Sequence, residues 1–176
     1  MKVKTKDIIL CALFAALTGV LSQISIPLPF TPVPINLATI GPFLAGGLLG
    51  AGRGAVSQAV YAILGIVGIP VFAGFTSGLG ILVGPTGGYI LGYVAAAMIV
   101  GLILGKKSDK IYKFIIAMVL GLAACYGLGT MWFMFVTGNG VSESLLLCVV
   151  PFLPGDVIKI MLSSYLALKL KKQVQV

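Results

Sequence analysis

The sequence contains no histidine, only 3 cysteines and only 4 acidic residues against 12 lysines and arginines. Without histidine, the commonest general base and metal ligand is missing. Cys11, Cys125 and Cys148 lie in separate apolar stretches with no C-x-x-C spacing. A zinc site or a disulfide framework is therefore not expected, and the thiols read as small apolar side chains. Charged residues make up 9% of the chain, where an average soluble domain has about a quarter. No G-x-x-x-x-G-K-[ST] run is present, and the glycines near "GPTGGY" have no strand–turn–helix setting, so a phosphate or dinucleotide loop is excluded. No nucleophile–base pair stands out, which argues against an enzyme. No cofactor is implied.

What the chain has instead is apolar length. Its 176 residues are 59% hydrophobic, with mean hydropathy +1.15. A bilayer suits such a composition better than water does. Apolar runs predict six spanning segments near 8–25, 36–50, 55–70, 87–105, 112–136 and 144–168, an all-α integral membrane protein in one domain over residues 1–176. The first run is long and leads straight into another, so it reads as a span rather than a cleaved signal peptide.

The net charge of +8 is grouped. Lys2, Lys4 and Lys6 precede the first run. Lys106, Lys107, Lys110 and Lys113 separate two runs, and Lys169, Lys171 and Lys172 follow the last. With the N-terminus in the cytoplasm, these residues and Arg53 all fall inside, and the loops near 26–35, 71–86 and 137–143 fall outside. Every basic residue except Lys159 then obeys the positive-inside rule, with both termini cytoplasmic. Basic residues that flank apolar runs are topology signals, not a nucleic-acid face.

The outer loops are structured by composition. "SIPLPFTPVPIN" (25–36) carries four prolines, which cannot continue a helix and favour a stiff, extended, polyproline-like path. It reads as a lid or a rigid linker. "GIPVFAGFTSGLGILVGPTGGY" (68–89) is glycine-rich and carries Phe72, Phe75 and Tyr89. It reads as a pocket-lining loop or a plain connection. In the first run, Ala12, Ala16 and Gly19 share a helix face, a small-residue stripe that admits another helix closely. That neighbour is either within the bundle or a separate membrane partner. Gly46, Gly47, Gly50, Gly88, Gly92 and Gly101 are expected at internal contacts.

The anomaly is "PFLPGDVIKI" (151–160), where Asp156 and Lys159 stand three apart in an apolar run. A charge inside a span costs at least ~2.5–3.5 kcal/mol. Counting back from Lys169 at ~1.5 Å per residue puts Asp156 ~20 Å and Lys159 ~15 Å from the inner boundary. Three readings stand at this point. The two charges form a self-satisfied pair, or the helix starts after Pro154 and Asp156 sits near its cap, or they belong to a site for a small molecule with N–H donors at one end and an acid at the other.

These stretches together, "IPLPFTPVPINLATIGPFLAGGLLG", "GIVGIPVFAG", "GPTGGYILGY" and "PFLPGDVIK", resemble the BioY family, the biotin-binding S components of energy-coupling factor (ECF) transporters, over about residues 5 to 170. The resemblance implies six membrane helices, a biotin site toward the outer side, and partners: a transmembrane coupling subunit and two cytoplasmic ATPase subunits. It implies docking through A-x-x-x-A, matched by Ala12 and Ala16, and carriage of the vitamin by toppling in the bilayer. It implies multi-pass residence in the cytoplasmic membrane. For the site it implies that Asp156 accepts from a ureido N–H and Lys159 holds an acidic or carbonyl oxygen. Phe72, Phe75 and Tyr89 would wall the pocket, with Gly74, Thr86 and Asn36 near the ligand. One departure is Ala38 in "PINLAT", where many relatives carry glutamine; Asn36 or Gln58 could compensate. A membrane scaffold and a stand-alone secondary carrier for another small vitamin remain the alternative classes.

Overall fold

The computed structural model describes residues 4–105 and 110–174, the side chains of residues 172 and 174 excepted. The predicted inner positions Lys2, Lys106, Lys107 and the Lys172 side chain lie outside the described residues. The fold is helical with one small hairpin. In order it runs α1 (Thr5–Gln23), β1 (Ser25–Leu28), β2 (Thr31–Asn36), α2 (Ile40–Leu49), α3 (Ala51–Ile66), α4 (Leu79–Val83), α5 (Gly87–Leu104), α6 (Ile111–Thr137), α7 (Val141–Cys148) and α8 (Leu153–Val174).

Four segments are long and apolar enough to cross a membrane: Thr5–Gln23, Gly87–Leu104, Ile111–Thr137 and Val141–Lys171. The predicted second and third spans correspond to the shorter α2 and α3. The predicted sixth span is broken. Pro151 lies in a 3-10 turn, Val150–Phe152, that separates α7 from α8. Proline has no N–H to continue the ladder of α7, yet Pro154 is tolerated in the first turn of α8, where donors are unpaired anyway.

Helices in lipid gain little from the hydrophobic effect between themselves, so close van der Waals contact must hold them. Glycine and alanine make that contact possible. A Cβ on Gly92 would lie 2.9 Å from the Cys125 sulfur and 3.0 Å from its Cα, so α5 and α6 touch backbone to backbone there. Gly46 likewise abuts Ala97 of α5, and Gly101 abuts Ala51. The expected internal glycine contacts are present, except that nothing lies near Gly50, whose φ of 82° turns the chain from α2 into α3. Around these seams sits a core of Phe43, Phe114, Val100 and Met118. The outer surface is apolar too: Ile8, Ile9, Leu13, Phe135 and Ile158 are exposed, as a lipid-facing surface requires.

Polar contacts tie one end of the bundle. Arg53 pairs with the buried Asp7 at 3.0 Å, and the Lys171 ammonium donates to the Gly105 carbonyl at 2.9 Å. The start of α1, the α2–α3 junction and the ends of α5 and α8 therefore share that end, as the grouping of basic residues predicts. The hairpin lies at the other.

The proline-rich stretch is extended as expected, but it pairs with itself. Ser25 opposes Asn36, Ile26 opposes Ile35 and Leu28 opposes Thr31, with an irregularity between Ile26 and Leu28. The two-stranded ribbon has edges on both sides, and prolines are tolerated at edges and bulges. The 68–89 stretch folds into a tight turn, with Phe72 bridged to Thr76, followed by α4.

Candidate functional site

Beside the hairpin, between α3 and α5, lies a cavity of about 230 Å³. β2 contributes Pro32, Val33, Pro34 and Asn36. The turn contributes Phe72, Ala73 and Thr76. α3 contributes Tyr61, α4 Ile81, and the first turns of α5 Thr86, Tyr89, Ile90 and Tyr93. Spacings of three and four put Tyr89, Ile90 and Tyr93 on one face of α5. Phe72 is fully buried because Gly65 leaves a notch for its ring; any Cβ there would overlap it. Tyr61 meets Phe72 edge-on at 5.6 Å and lies 6.2 Å from Tyr93. The lining is mostly apolar and aromatic with a few polar groups, the usual chemistry of a small-molecule site.

Behind that wall sits the charged pair. Lys159 donates to Asp156 Oδ1 at 2.7 Å, and the Tyr126 hydroxyl of α6 donates to Asp156 Oδ2. Asp156 is 2% exposed and Lys159 5%. Asp156 lies in the first turn of α8, where the positive end of the helix dipole favours an anion. Of the readings open from sequence, the start of the helix is thus just before Pro154, and the two charges also pair. Tyr126 meets Tyr89 edge-on at 6.5 Å, and the Tyr89 hydroxyl lies 3.3 Å from Thr130 Oγ1. A continuous polar and aromatic chain therefore runs from the cavity wall to the buried carboxylate.

The sequence-predicted residues separate into groups. Asn36, Phe72, Thr86 and Tyr89 line the cavity together. Asp156 and Lys159 lie one aromatic layer behind it, outside its lining. Gly74 lines a neighbouring cavity of about 360 Å³. Phe75 does not wall either cavity: after Gly74 at φ 69° the backbone stays left-handed, with φ 57° at Phe75, and the ring turns outward, 71% exposed. Asn36 Oδ1 accepts from the Ala38 amide at 3.1 Å. Gln58 is fully buried away from the cavity, against Thr18 and Ser57. Ala12 and Ala16 are exposed on α1, whereas Gly19 on the same stripe is buried under Val71, because the segment after α3 folds over that end of the helix.

Sequence reasoning missed Tyr61, Tyr93 and Tyr126. The available signal was their depth: tyrosine in a spanning segment normally sits at the interface, and a buried hydroxyl needs a partner.

Similarity to known proteins agrees with this geometry. A profile of the BioY family matches residues 1–176. The chain is 37% identical over 167 residues to the "Biotin transporter BioY" of Thermotoga maritima, covering 95% of this chain and 96% of that one. It is 41% identical over 157 residues to the "Probable biotin transporter BioY" of Pyrococcus horikoshii, covering 89% and 90%. A crystal structure of the S-component for biotin from an ECF-type ABC transporter superposes with TM-score 0.87 at 31% identity, covering 95% of this chain and 91% of that chain. The chain belongs to the BioY family.

Proposed function

We propose that this chain binds biotin and serves as the substrate-specific subunit of an ECF-type ABC transporter, taking the vitamin up across the cytoplasmic membrane. The observation that carries the reading is the aromatic cavity with a buried Asp156–Lys159–Tyr126 network directly behind it. Biotin has a ureido head with N–H donors and a carbonyl, an apolar thioether ring and a carboxylate tail. Asp156 accepts from a ureido N–H, and Lys159 donates to an acidic or carbonyl oxygen of the ligand. Phe72 and Tyr89 contact the apolar ring, with Thr86 and Asn36 as polar neighbours, and Gly74 lines the adjoining cavity. For the ligand to reach Asp156, the Tyr126 hydroxyl that donates to its Oδ2 must give way. The names of the relatives support a transporter rather than an enzyme. Six segments build the membrane-embedded bundle, α2 entering only part of its depth and α7 with α8 forming the last, and both termini are cytoplasmic. The coupling subunit docks on the Ala12–Ala16 face of α1, and two ATPase subunits supply the energy.

A second reading has its own support. Asp156 is already satisfied by two donors, so the network can fasten α8 to α6 without any ligand. Equilibrium titration of the purified chain in detergent with biotin tests the first reading. Saturable, tight binding is expected; none in well-folded protein overturns it.

A further inference from the structure

The 230 Å³ cavity and its 360 Å³ neighbour share three lining residues, Pro32, Pro34 and Ala73. These residues form a partition, and one side of it, Ala73, belongs to the turn between Phe72 and Thr76. Whatever holds that turn in place holds the partition closed. Its inner edge is anchored by the Phe72 ring in the Gly65 notch and by the Gly78 amide donating to the Gly65 carbonyl at 2.7 Å. Its outer edge is held from α1. Gln23 Oε1 accepts from the Phe75 amide at 2.8 Å, and Gln23 Nε2 donates to the Phe72 carbonyl at 3.1 Å. The amide nitrogen also donates to the Gly19 carbonyl of its own helix at 3.0 Å. One side-chain amide thus bridges both arms of the turn and ties them to the end of α1.

The turn needs such a tie. Phe75 is the sole non-glycine residue with positive φ among the described residues, and a bulky side chain there persists only when its surroundings hold it. Its own ring contributes little, since it is exposed. The internal bonds of the turn, Phe72 N–H to the Thr76 carbonyl and the Thr76 hydroxyl to the Ala73 carbonyl, fix its shape but not its position on α1. Ser22, whose hydroxyl lies within hydrogen-bond distance of the Val71 carbonyl, anchors only the residue before it.

We propose that Gln23 is the latch of the ligand cavity: a positioning residue whose amide holds the 72–76 turn against α1 and so keeps the partition between the two cavities shut. Release of the amide lets Ala73 swing away, joins the two cavities, and gives a small molecule its route in and out. The latch also makes the end of α1 and the cavity mouth one mechanical unit.

The inference rests on the ligand reading of the cavity for its first readout and stands alone in its second. Gln23→Met keeps the length of the side chain and removes both polar atoms. With biotin as the probe, release from Gln23→Met is expected to be about thirtyfold faster than from the wild type, the effect of two lost hydrogen bonds of ordinary net strength. Amide hydrogen exchange over 72–78 is expected to rise without ligand, while α5 and α6 stay protected; a general loss of structure would expose all three. Gln23→Glu keeps the acceptor for the Phe75 amide but sets a carboxylate oxygen against the Gly19 and Phe72 carbonyls, and should release biotin at least as fast as Gln23→Met. It also serves if Gln23→Met does not fold. Equal release rates with biotin bound in all three overturn the latch and leave the biotin reading intact. If the wild type binds no biotin, unchanged exchange over 72–78 still overturns the latch.

Discussion

Replacing Lys159 by methionine leaves a carboxylate with one partner in a site that water does not reach. Asp156 is 2% exposed and its ammonium partner sits at 2.7 Å. Breaking a buried pair by removing one partner costs about 3–5 kcal/mol. The Tyr126 hydroxyl still donates to Oδ2, which places Lys159→Met toward the lower end. For a chain of this size, ~3 kcal/mol corresponds to a fall in Tm of roughly 6–12 °C. The double variant Asp156→Leu/Lys159→Met removes both charges and should regain most of the loss, because an apolar replacement of a buried pair is often neutral. It stays ~1 kcal/mol below the wild type, since Tyr126 loses its acceptor. Thermal melts in detergent read the stability, and biotin titration of the same samples reads the function. The double variant is expected to be folded and to bind at least about 150-fold more weakly, as two lost hydrogen bonds to charged groups imply. If Lys159→Met melts within about 2 °C of the wild type, the buried-charge argument fails. If the folded double variant binds biotin like the wild type, the pair is a helix fastener and not part of the site.

Two further outcomes follow from the helix faces. Ala12→Leu/Ala16→Leu should leave biotin affinity within about twofold, since neither side chain reaches the interior, while abolishing co-purification with a coupling subunit; retained co-purification would move the docking surface elsewhere. Gly92→Ala should lower stability by ~1–3 kcal/mol, because its Cβ meets the Cys125 backbone. Gly127→Ala in α6, where nothing lies within 4 Å, should be neutral or stabilising by up to ~1 kcal/mol. Equal melting temperatures for the two would show that α5 and α6 are not in backbone contact.

The helices were legible in the sequence because uninterrupted apolar runs in a chain without enough charge have few alternatives. The placing of Arg53 on the same side as the lysine groups was legible from their spacing between apolar runs, and the Asp7–Arg53 and Lys171–Gly105 contacts join the start of α1 to α3 and the end of α8 to the end of α5. One reading of the sequence started the last helix after Pro154; the break occurs at Pro151, and α8 starts at Leu153. Proline restricts the residues before it, but which of two prolines ends a helix depends on what the freed carbonyls find. The hairpin was invisible because the four prolines of "SIPLPFTPVPIN" argue against strand pairing, although its partners, Leu28 with Thr31 and Ser25 with Asn36, are close in sequence. At the site, side-chain type and depth singled out Asp156 and Lys159. Nothing local reveals that Tyr126 of α6 would face them, or that Phe75 would turn outward while Phe72, three residues earlier, turns in. Those are facts of tertiary placement, set by the Gly65 notch and by two successive left-handed residues.

The shortness of α2 has a consequence for what holds it in place. All of Ile40–Leu49 is buried by neighbouring segments, and ten helical residues reach only ~15 Å, half the depth of the hydrocarbon. Lipid alone offers such a segment no stable berth. Its slot exists only once α1, α3, α5 and α8 stand around it. α2 is therefore a keystone: its protein neighbours, and not the membrane, hold it in place.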